Sequence, residues 1–303
     1  MLKERLNENK LKRALVAPFR NIVKTISKTL YVKLEYKYIT HHKCNLKNPK
    51  RYTEKLQYLR LFSYPKNELV TKCASRDGVR EYIKEIGLEN ILIPIYGVYD
   101  KFDDIDFNLL PEKFVMKCTH ACAFNYICTD KKSININELK TKFNTWLNTN
   151  YGKKTCEMHY SKIKPRIIIE KYIGNYPDEY KFHVFNGNAK YLYLVTGRNS
   201  DIKYNNYYID FTPFDGAQFN GWDKKDEKEI KKSPHYEEMV KLAELIAKPF
   251  PFVRVDLYEV DGQIYFGEMT FTPAKGTLIF DDDSCDFEIG EWLDISSIIS
   301  KKN

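Results

Sequence analysis

The sequence predicts an α+β fold, with antiparallel hairpins and helices mixed, rather than a parallel α/β sheet. Two hairpins carry that expectation. Residues 180–185 and 189–195 flank Asn186-Gly187, and residues 252–258 and 263–270 flank Asp261-Gly262; both dipeptides turn antiparallel strands tightly. The third observation is length without repetition. The 303 residues, 43% hydrophobic and 30% charged, show no internal repeat and suffice for two lobes with a real core.

Residues 1–45 form a basic, helical first segment. From Pro18 onward Phe19, Ile22, Val23, Ile26 and Leu30 recur at helical spacing, with Arg20, Lys24 and Lys28 between them. Such a helix either lies on an anionic membrane surface or packs on its own domain behind a solvated basic face, and the sequence leaves both open. A helical region follows over 46–90. Asn48-Pro49-Lys50 opens one helix with Leu56, Leu59 and Phe62 on one side, and a second runs from 68 to 86 and stops at Gly87. A smaller lobe spans 91–169. It holds a strand near 91–96, a polar turn at 103–106, a strand at 113–117, and a loop with its flanking strand over 119–130. An amphipathic helix then covers 138–150, carrying Leu139, Phe143, Trp146 and Leu147. The β-branched strand 166–173 leads into a larger lobe, 170–303, with both hairpins and a helix at 236–248. Residues 199–233 are polar and turn-rich and carry no clear period.

The net charge of +8 is local. Residues 1–50 hold 13 Lys/Arg against three Glu, an excess of 10, so the remainder carries about −2. This argues against nucleic acid as a partner and for a local anionic one. Seven cysteines, an odd number without a CxxC pair, read as free thiols of a reduced cytoplasmic protein; Cys118, Cys122 and Cys128 lack the fourth ligand of a structural zinc. No apolar run approaches 18 residues, and the N-terminus lacks the apolar core and cleavage site of a secretion signal. The expected location is the cytoplasm, at the inner face of the membrane if the first helix docks there.

The second hairpin can carry chemistry, and its register decides whether it does. Period two puts Val253, Val255 and Leu257 on one face and Arg254, Asp256 and Tyr258 on the other. A two-residue loop at Asp261-Gly262 pairs Asp256 with Gly267 and sends Glu268 to the opposite face. A three-residue loop, Val260-Asp261-Gly262, pairs Glu259 with Gln263, sets Arg254 opposite Glu268, and puts Asp256, Glu268 and Thr270 on one face. The plain reading of that face is a cross-strand Arg–Glu pair in solvent. The chemical reading is two carboxylates converging on Mg²⁺, which needs hard oxygen ligands, with Arg254 beside them for an anionic substrate or intermediate.

The end of the second strand and the residues after it favour the chemical reading. Glu268-Met269-Thr270-Phe271-Thr272-Pro273, then Ala274-Lys275-Gly276, resembles the Glu-x-Asn-x-x-Pro-Gly ending of ATP-grasp ligases, and Arg254-Val255-Asp256 the Arg-x-Asp before it. The whole segment is more closely similar to the TupA-like ATP-grasp family of bacterial surface-polysaccharide loci. So are Asn48, Pro49, Tyr52, Glu54, Lys55, Leu56 and Gln57 in the opening helix, and Gly290-Glu291-Trp292-Leu293 near the end. The resemblance spans roughly residues 45–293.

The resemblance implies two α+β lobes that clamp ATP, and it assigns roles. Arg76 and Lys117, each alone an ordinary surface cation, occupy the positions that neutralise the phosphates. Glu170, Lys171, Tyr172 and Ile173 match the linker that holds adenine. Lys181, in Glu179-Tyr180-Lys181, points at the phosphates and joins Arg254 as a catalytic residue, while Asp256, Glu268 and Thr270 hold Mg²⁺. Arg198 and Lys275 are weaker assignments, to an acidic acceptor. His120 and Asn125 bound the segment that is glycine-rich in the family; here it reads His120-Ala121-Cys122-Ala123-Phe124-Asn125, without a glycine. Glycines there let backbone N–H groups close over the phosphates.

The implied reaction is ATP-dependent carboxylate–amine ligation through an acylphosphate, with ATP and Mg²⁺ as cofactors. The expected substrate is an acidic polysaccharide, or a uronic or amino acid attached to it. Two other readings stand beside it. A glycosyltransferase would use Asp281-Asp282-Asp283 or Asp103-Asp104-Ile105-Asp106 as a strand-end Asp-x-Asp. A catalytically silent nucleotide-binding scaffold would retain Arg254, Asp256 and Glu268 and lack the loop.

Overall fold

The computed structural model describes residues 20–174, 176–198, 201–217 and 230–301. The basic tract before Arg20, and part of the segment 199–233 that has no clear period, lie outside the described residues.

Two antiparallel sheets organise the chain, as an α+β fold requires. The smaller has four strands, β1 (Ile95–Tyr99), β2 (Phe114–Cys118), β3 (Asn125–Cys128) and β4 (Ile167–Lys171), in the order β1-β4-β2-β3. Helix α5 (Ile136–Leu147) covers it: Leu139 and Phe143 share a core with Phe114, Met116, Ile167 and Ile169. The larger sheet has five strands, β5 (Glu179–Phe185), β6 (Asn188–Thr196), β7 (Lys203–Tyr208), β8 (Phe252–Val260) and β9 (Gln263–Thr270), in the order β7-β6-β5-β8-β9. Helix α7 (Tyr236–Ala247) turns Met239, Ala243, Ile246 and Ala247 onto it. Strand β7 was not legible in the polar sequence after residue 199; as an edge strand it buries only Asn205 and Asn206 and needs no apolar alternation.

Three local expectations are corrected. Residues 68–86 are not one helix but two, α3 (Glu68–Ala74) and α4 (Gly78–Glu85). Ser75 is extended (ψ 134°), and Asp77 caps α4 by accepting from Gly78 N at 3.0 Å, so Arg76 sits in the break. The strand expected near 91–96 starts at Ile95, after a 3₁₀ turn over Glu89–Ile91.

The third correction is the register of β8 and β9. The loop has two residues: Asp261 and Gly262 are both left-handed (φ 52° and 77°), and Val260 pairs with Gln263. That register alone would put Glu268 on the wrong face. It is rescued at a bulge, because Leu257 pairs with Phe266 but Asp256 pairs with Glu268, leaving Gly267 as the extra residue. Asp256, Glu268 and Thr270 therefore share a face, by a different route from the three-residue loop. A Cβ on Gly267 would lie 2.8 Å from the Tyr258 ring and 3.0 Å from the Asp256 carbonyl oxygen, so only glycine fits here unforced.

The N-terminal helix is docked by a face other than the one its spacing suggests. Residues 20–26 are helical, Ser27 is extended (φ −152°) and caps α1 (Lys28–Thr40) by accepting from Leu30 N, and the helix restarts in a new phase. Tyr31, Val32 and Tyr36 are buried, whereas Ile22, Ile26 and Leu30 face outward. Tyr36 OH meets Thr53 Oγ1 (2.8 Å) on α2 (Tyr52–Tyr58). Helix α2 is in turn fixed to α8 (Ser284–Trp292) through Thr53 N to Asp286 (2.9 Å) and Arg51 to Asp283 (2.6 Å).

Candidate active site

Strand periodicity assembles the site on one face of the larger sheet. Glu179, Lys181 and His183 alternate along β5, and Arg254, Asp256 and Tyr258 along β8, with Lys181 opposite Asp256 and Glu179 opposite Tyr258. Glu268 and Thr270 join them from β9 by way of the bulge.

The centre of this face is one nitrogen. Arg254 Nη2 donates to Asp256 Oδ2 (2.7 Å), Glu268 Oε1 (3.2 Å) and Thr270 Oγ1 (3.0 Å), so three hard oxygens from three residues converge on a single cationic point. Arg254 Nε adds a bond to Asp256 Oδ1 (2.6 Å), and Lys181 Nζ reaches Asp256 Oδ2 (2.5 Å) and Glu179 Oε1 (2.8 Å). Glu179 also accepts from Arg198 and from Tyr258 OH (3.0 Å). Arg76 reaches in from the helix break, 3.4 Å from Glu268 Oε2, while its backbone N donates to Thr119 O (3.1 Å) at the smaller sheet. Its Nε is buried without a hydrogen-bond partner among the described residues.

Charge explains how so many ionised groups stay together. Four cations, Arg76, Lys181, Arg198 and Arg254, face three acidic groups, Glu179, Asp256 and Glu268, a formal unit of positive excess suited to an anionic ligand, although burial raises the pKa of Asp256 against the pull of Arg254 and Lys181. Burial opposes the charge on Arg254, but Asp256 and Glu268 overcome it and raise its pKa. Burial likewise pushes Glu268 up, and Arg76 and Arg254 bring it below the usual carboxylate range. For Glu179, burial is outweighed by Lys181 and Arg198, which hold its carboxyl down to about 2.

A depressed carboxylate stabilises the fold above its unfolded pKa, and that stability is lost as pH falls through the folded value. Wild type and Glu179→Gln should therefore differ in denaturant midpoint by a constant amount from pH 7 to about 5.5, with the difference shrinking between 4.5 and about 2. A difference independent of pH over that lower range would show that Glu179 is not ionised in place.

The other residues singled out in the sequence fall in several places. Lys117 Nζ and Glu170 Oε2 form a 2.6 Å pair between β2 and β4, where the register sets Glu170 opposite Val115, two residues from Lys117. Lys171, Tyr172 and Ile173 begin the connection between the two sheets; Lys171 N donates to Pro94 O (2.8 Å), and Tyr172 carries Lys113 Nζ 5.9 Å from its ring centroid. Asn125 is exposed at the start of β3, opposite Lys117.

His120 is not brought to the cluster. It is buried, with Nε2 3.2 Å from the carbonyl oxygens of both Trp146 and Thr149 at the end of α5. Phe124 stacks on Trp146 (centroids 5.1 Å apart, planes at 10°), so the glycine-free loop is pinned at both ends. Between this loop and the cluster, a gap of about 20 Å³ bounded by Arg76, Ala121, Cys122, Tyr160 and Glu268 is the size of one water.

Lys275 faces away, its Nζ 3.5 Å from Glu35 of α1. Ala274 and Lys275 are both left-handed (φ 45° and 58°), and the turn is held by Gln57 Nε2 and Arg60 Nη1, which donate to Lys275 O at 2.8 and 2.9 Å. The Asp-rich stretches end no strand: Asp283 precedes α8 and pairs with Arg51, and Asp103 lies in a 3₁₀ turn, 2.6 Å from Lys140 Nζ.

Sequence reasoning missed Glu179 and Tyr258 as members of the cluster, although the signal was present. Each lies two residues from an assigned residue on the same strand, and the period of two places it on the same face.

A family model described as TupA-like ATP-grasp matches residues 54–294 of this chain. Among solved structures, D-alanine–D-alanine ligase from Bacillus anthracis is similar at 14% identity over 76% of this chain and 69% of that one, with a TM-score of 0.44. N5-carboxyaminoimidazole synthetase from Staphylococcus aureus, complexed with ADP, is similar at 13% identity over 69% and 47% of the two chains, with a TM-score of 0.42. Phosphoribosylamine–glycine ligase from Thermotoga maritima is similar at 11% over 66% and 48%, with a TM-score of 0.38. No curated protein matches the sequence.

Proposed function

Because the chain belongs to the TupA-like ATP-grasp family, we propose that it is an ATP-dependent ligase that joins a carboxylate on an acidic surface polysaccharide, or on a uronic or amino acid attached to it, to an amine. The observation that carries this reading is the convergence of Asp256, Glu268 and Thr270 oxygens on Arg254 Nη2 within a ring of cations.

Those three residues fit Mg²⁺, because their donors are hard oxygens already gathered around a positive charge, and they would hold it. The chemistry it supplies when bound is neutralisation of charge on the phosphates. Arg76, with its free Nε, and Lys181 and Lys117 bind the triphosphate, and residues 170–173 receive the adenine. A substrate carboxylate oxygen attacks the γ-phosphorus, ADP leaves with the bridging oxygen, and Arg254 stabilises the acylphosphate formed. An amine then attacks the acyl carbon, phosphate departs, and the amine proton passes to solvent. Positioning and charge stabilisation do most of the work in such a transfer, which accounts for the density of Arg and Lys. Arg198, at the rim of the cluster, orients an acidic acceptor.

The test is to trap the acylphosphate. With ATP, Mg²⁺, a uronic acid or acidic glycan and hydroxylamine, the protein should yield a hydroxamate together with ADP. ATP binding without hydroxamate or ADP, across a panel of such acids, would sink the ligase reading.

One observation favours a second reading, a nucleotide-binding protein without turnover: the loop over the phosphates has no glycine and is pinned by Phe124 on Trp146 and by His120. Ala121→Gly, Ala123→Gly and Phe124→Gly together release the loop and should raise ADP release at least several-fold if it closes over the phosphates. ATP binding with ADP release still at background in that variant would favour the silent reading.

A further inference from the structure

The outward face of the N-terminal helix takes no part in the ligation site, and it is not built for water. Leu30, Leu34 and Tyr38 recur every four residues along α1 and are 48%, 47% and 78% exposed, and Ile22 and Ile26, in the helical turns before the break at Ser27, are 57% and 78% exposed. The inward face is separate and already satisfied: Tyr31, Val32, Tyr36 and Thr40 are buried in the domain. At about 100° per residue, Lys33 and Lys37 project from α1 beside Leu30 and Leu34, on the same outward side. Both are exposed, as are Arg20 and Lys28. The one acidic residue between 20 and 40, Glu35, turns inward to Arg60 at 3.2 Å. Lys24 donates to the Lys154 carbonyl (2.7 Å), which brings exposed Lys153 and Lys154 to the same margin. The result is an apolar ribbon edged by cations.

An apolar ribbon alone suits a second copy of the chain as well as a membrane, and charge decides between them. A two-fold contact would set this face, with its lysines, against itself, where like charges repel. An anionic lipid surface complements both the ribbon and its margin. We propose that this face docks on an anionic bilayer, with Ile22, Ile26, Leu30 and Leu34 at the acyl boundary, Tyr38 at headgroup depth and the lysines among the headgroups.

The helix is not a loose tether. Glu35 binds Arg60, and Arg60 with Gln57 holds the carbonyls of the Lys275–Gly276 turn (2.7 to 2.9 Å), so docking α1 fixes the attitude of the ligation site to the bilayer.

The test uses the full chain and sedimented vesicles of phosphatidylcholine, alone or mixed with phosphatidylglycerol. Binding is expected to the anionic vesicles, little to phosphatidylcholine alone, and less as salt rises from about 0.05 to 0.5 M. Leu30→Glu with Leu34→Glu should lower the partition at least tenfold. Lys33→Gln with Lys37→Gln should lower it roughly thirtyfold, about fivefold for each lysine near the surface. All four side chains are exposed, so both variants should melt with wild type. The proposal is overturned if either variant partitions as wild type does, if wild type binds both vesicle types equally, or if it binds neither. It is equally overturned if wild type self-associates and Leu30→Glu with Leu34→Glu makes it monomeric without changing vesicle binding. None of these outcomes depends on turnover, so the ligase reading stands or falls separately.

Discussion

Replacing Glu268 with Gln should weaken Mg²⁺-dependent ATP binding by about 100-fold while leaving the folded chain intact. Glu268 brings one of the three oxygens gathered on Arg254 Nη2, and its other oxygen faces Arg76 at 3.4 Å. The amide keeps the shape and removes the charge that balances both arginines. A charge-assisted contact of this kind is worth roughly 1.5–3 kcal/mol, and the upper end corresponds to about two decades in affinity. The loss should be specific to the metal-bound nucleotide, because Arg76, Lys181 and Arg254 still meet the phosphates. Thr270→Val removes a neutral hydroxyl from the same point and should cost about tenfold or less. Titration calorimetry with ATP, with and without Mg²⁺, makes the comparison. Equal weakening in both conditions would mean that Glu268 shapes the pocket electrostatically and has no part in holding the ion.

Gly267→Val should be damaging out of proportion to its size. The bulge leaves no space for a side chain, since its Cβ alone would lie 2.8 Å from the Tyr258 ring and 3.0 Å from the Asp256 carbonyl oxygen. Forcing extra carbons into a packed site costs about 1–3 kcal/mol, which for a chain of this size lowers the melting temperature by roughly 2–5 °C. The alternative open to the chain is to squeeze out the bulge. Strand β9 would then slide one residue against β8, Gly267's position would pair with Asp256, and Glu268 would leave the site face. Either way Mg²⁺-dependent ATP binding should collapse. A variant that melts with wild type and binds Mg²⁺·ATP normally would show that the bulge is not what puts Glu268 beside Asp256. Gly187→Ala is the contrast. That glycine is left-handed (φ 83°) and has nothing within 4 Å of an added Cβ, so its cost should be about 1–2 kcal/mol of backbone strain, without loss of the site.

Much of this was legible in the residues alone, because it depends on neighbours in sequence. Alternation puts Arg254 and Asp256 on one face of β8, and Glu179 and Lys181 on one face of β5, whatever the strands pair with. Asn186-Gly187 and Asp261-Gly262 turn as such dipeptides do, with both residues left-handed in each. The antiparallel hairpins, and so the α+β class, follow from them. What local spacing could not supply was the relation between segments. Whether Glu268 faces Asp256 depends on one unpaired residue, and the Tyr258 ring and the Asp256 carbonyl that leave Gly267 no room for a side chain are not its neighbours in the chain. Arg76 reaches the site because Ser75 and Asp77 break a helix that its apolar period would have continued. His120 turns to the Trp146 and Thr149 carbonyls at the end of α5, and Phe124 lies on Trp146, more than 20 residues away. Ser27 resets the phase of the first helix, so that Tyr31, Val32 and Tyr36 go inward and the face suggested by Ile22, Ile26 and Leu30 is left outside. Side-chain direction along a strand is a property of the backbone and can be counted. Register, helix breaks and the choice between two apolar faces are settled by packing between distant segments, and only the folded chain brings those segments together.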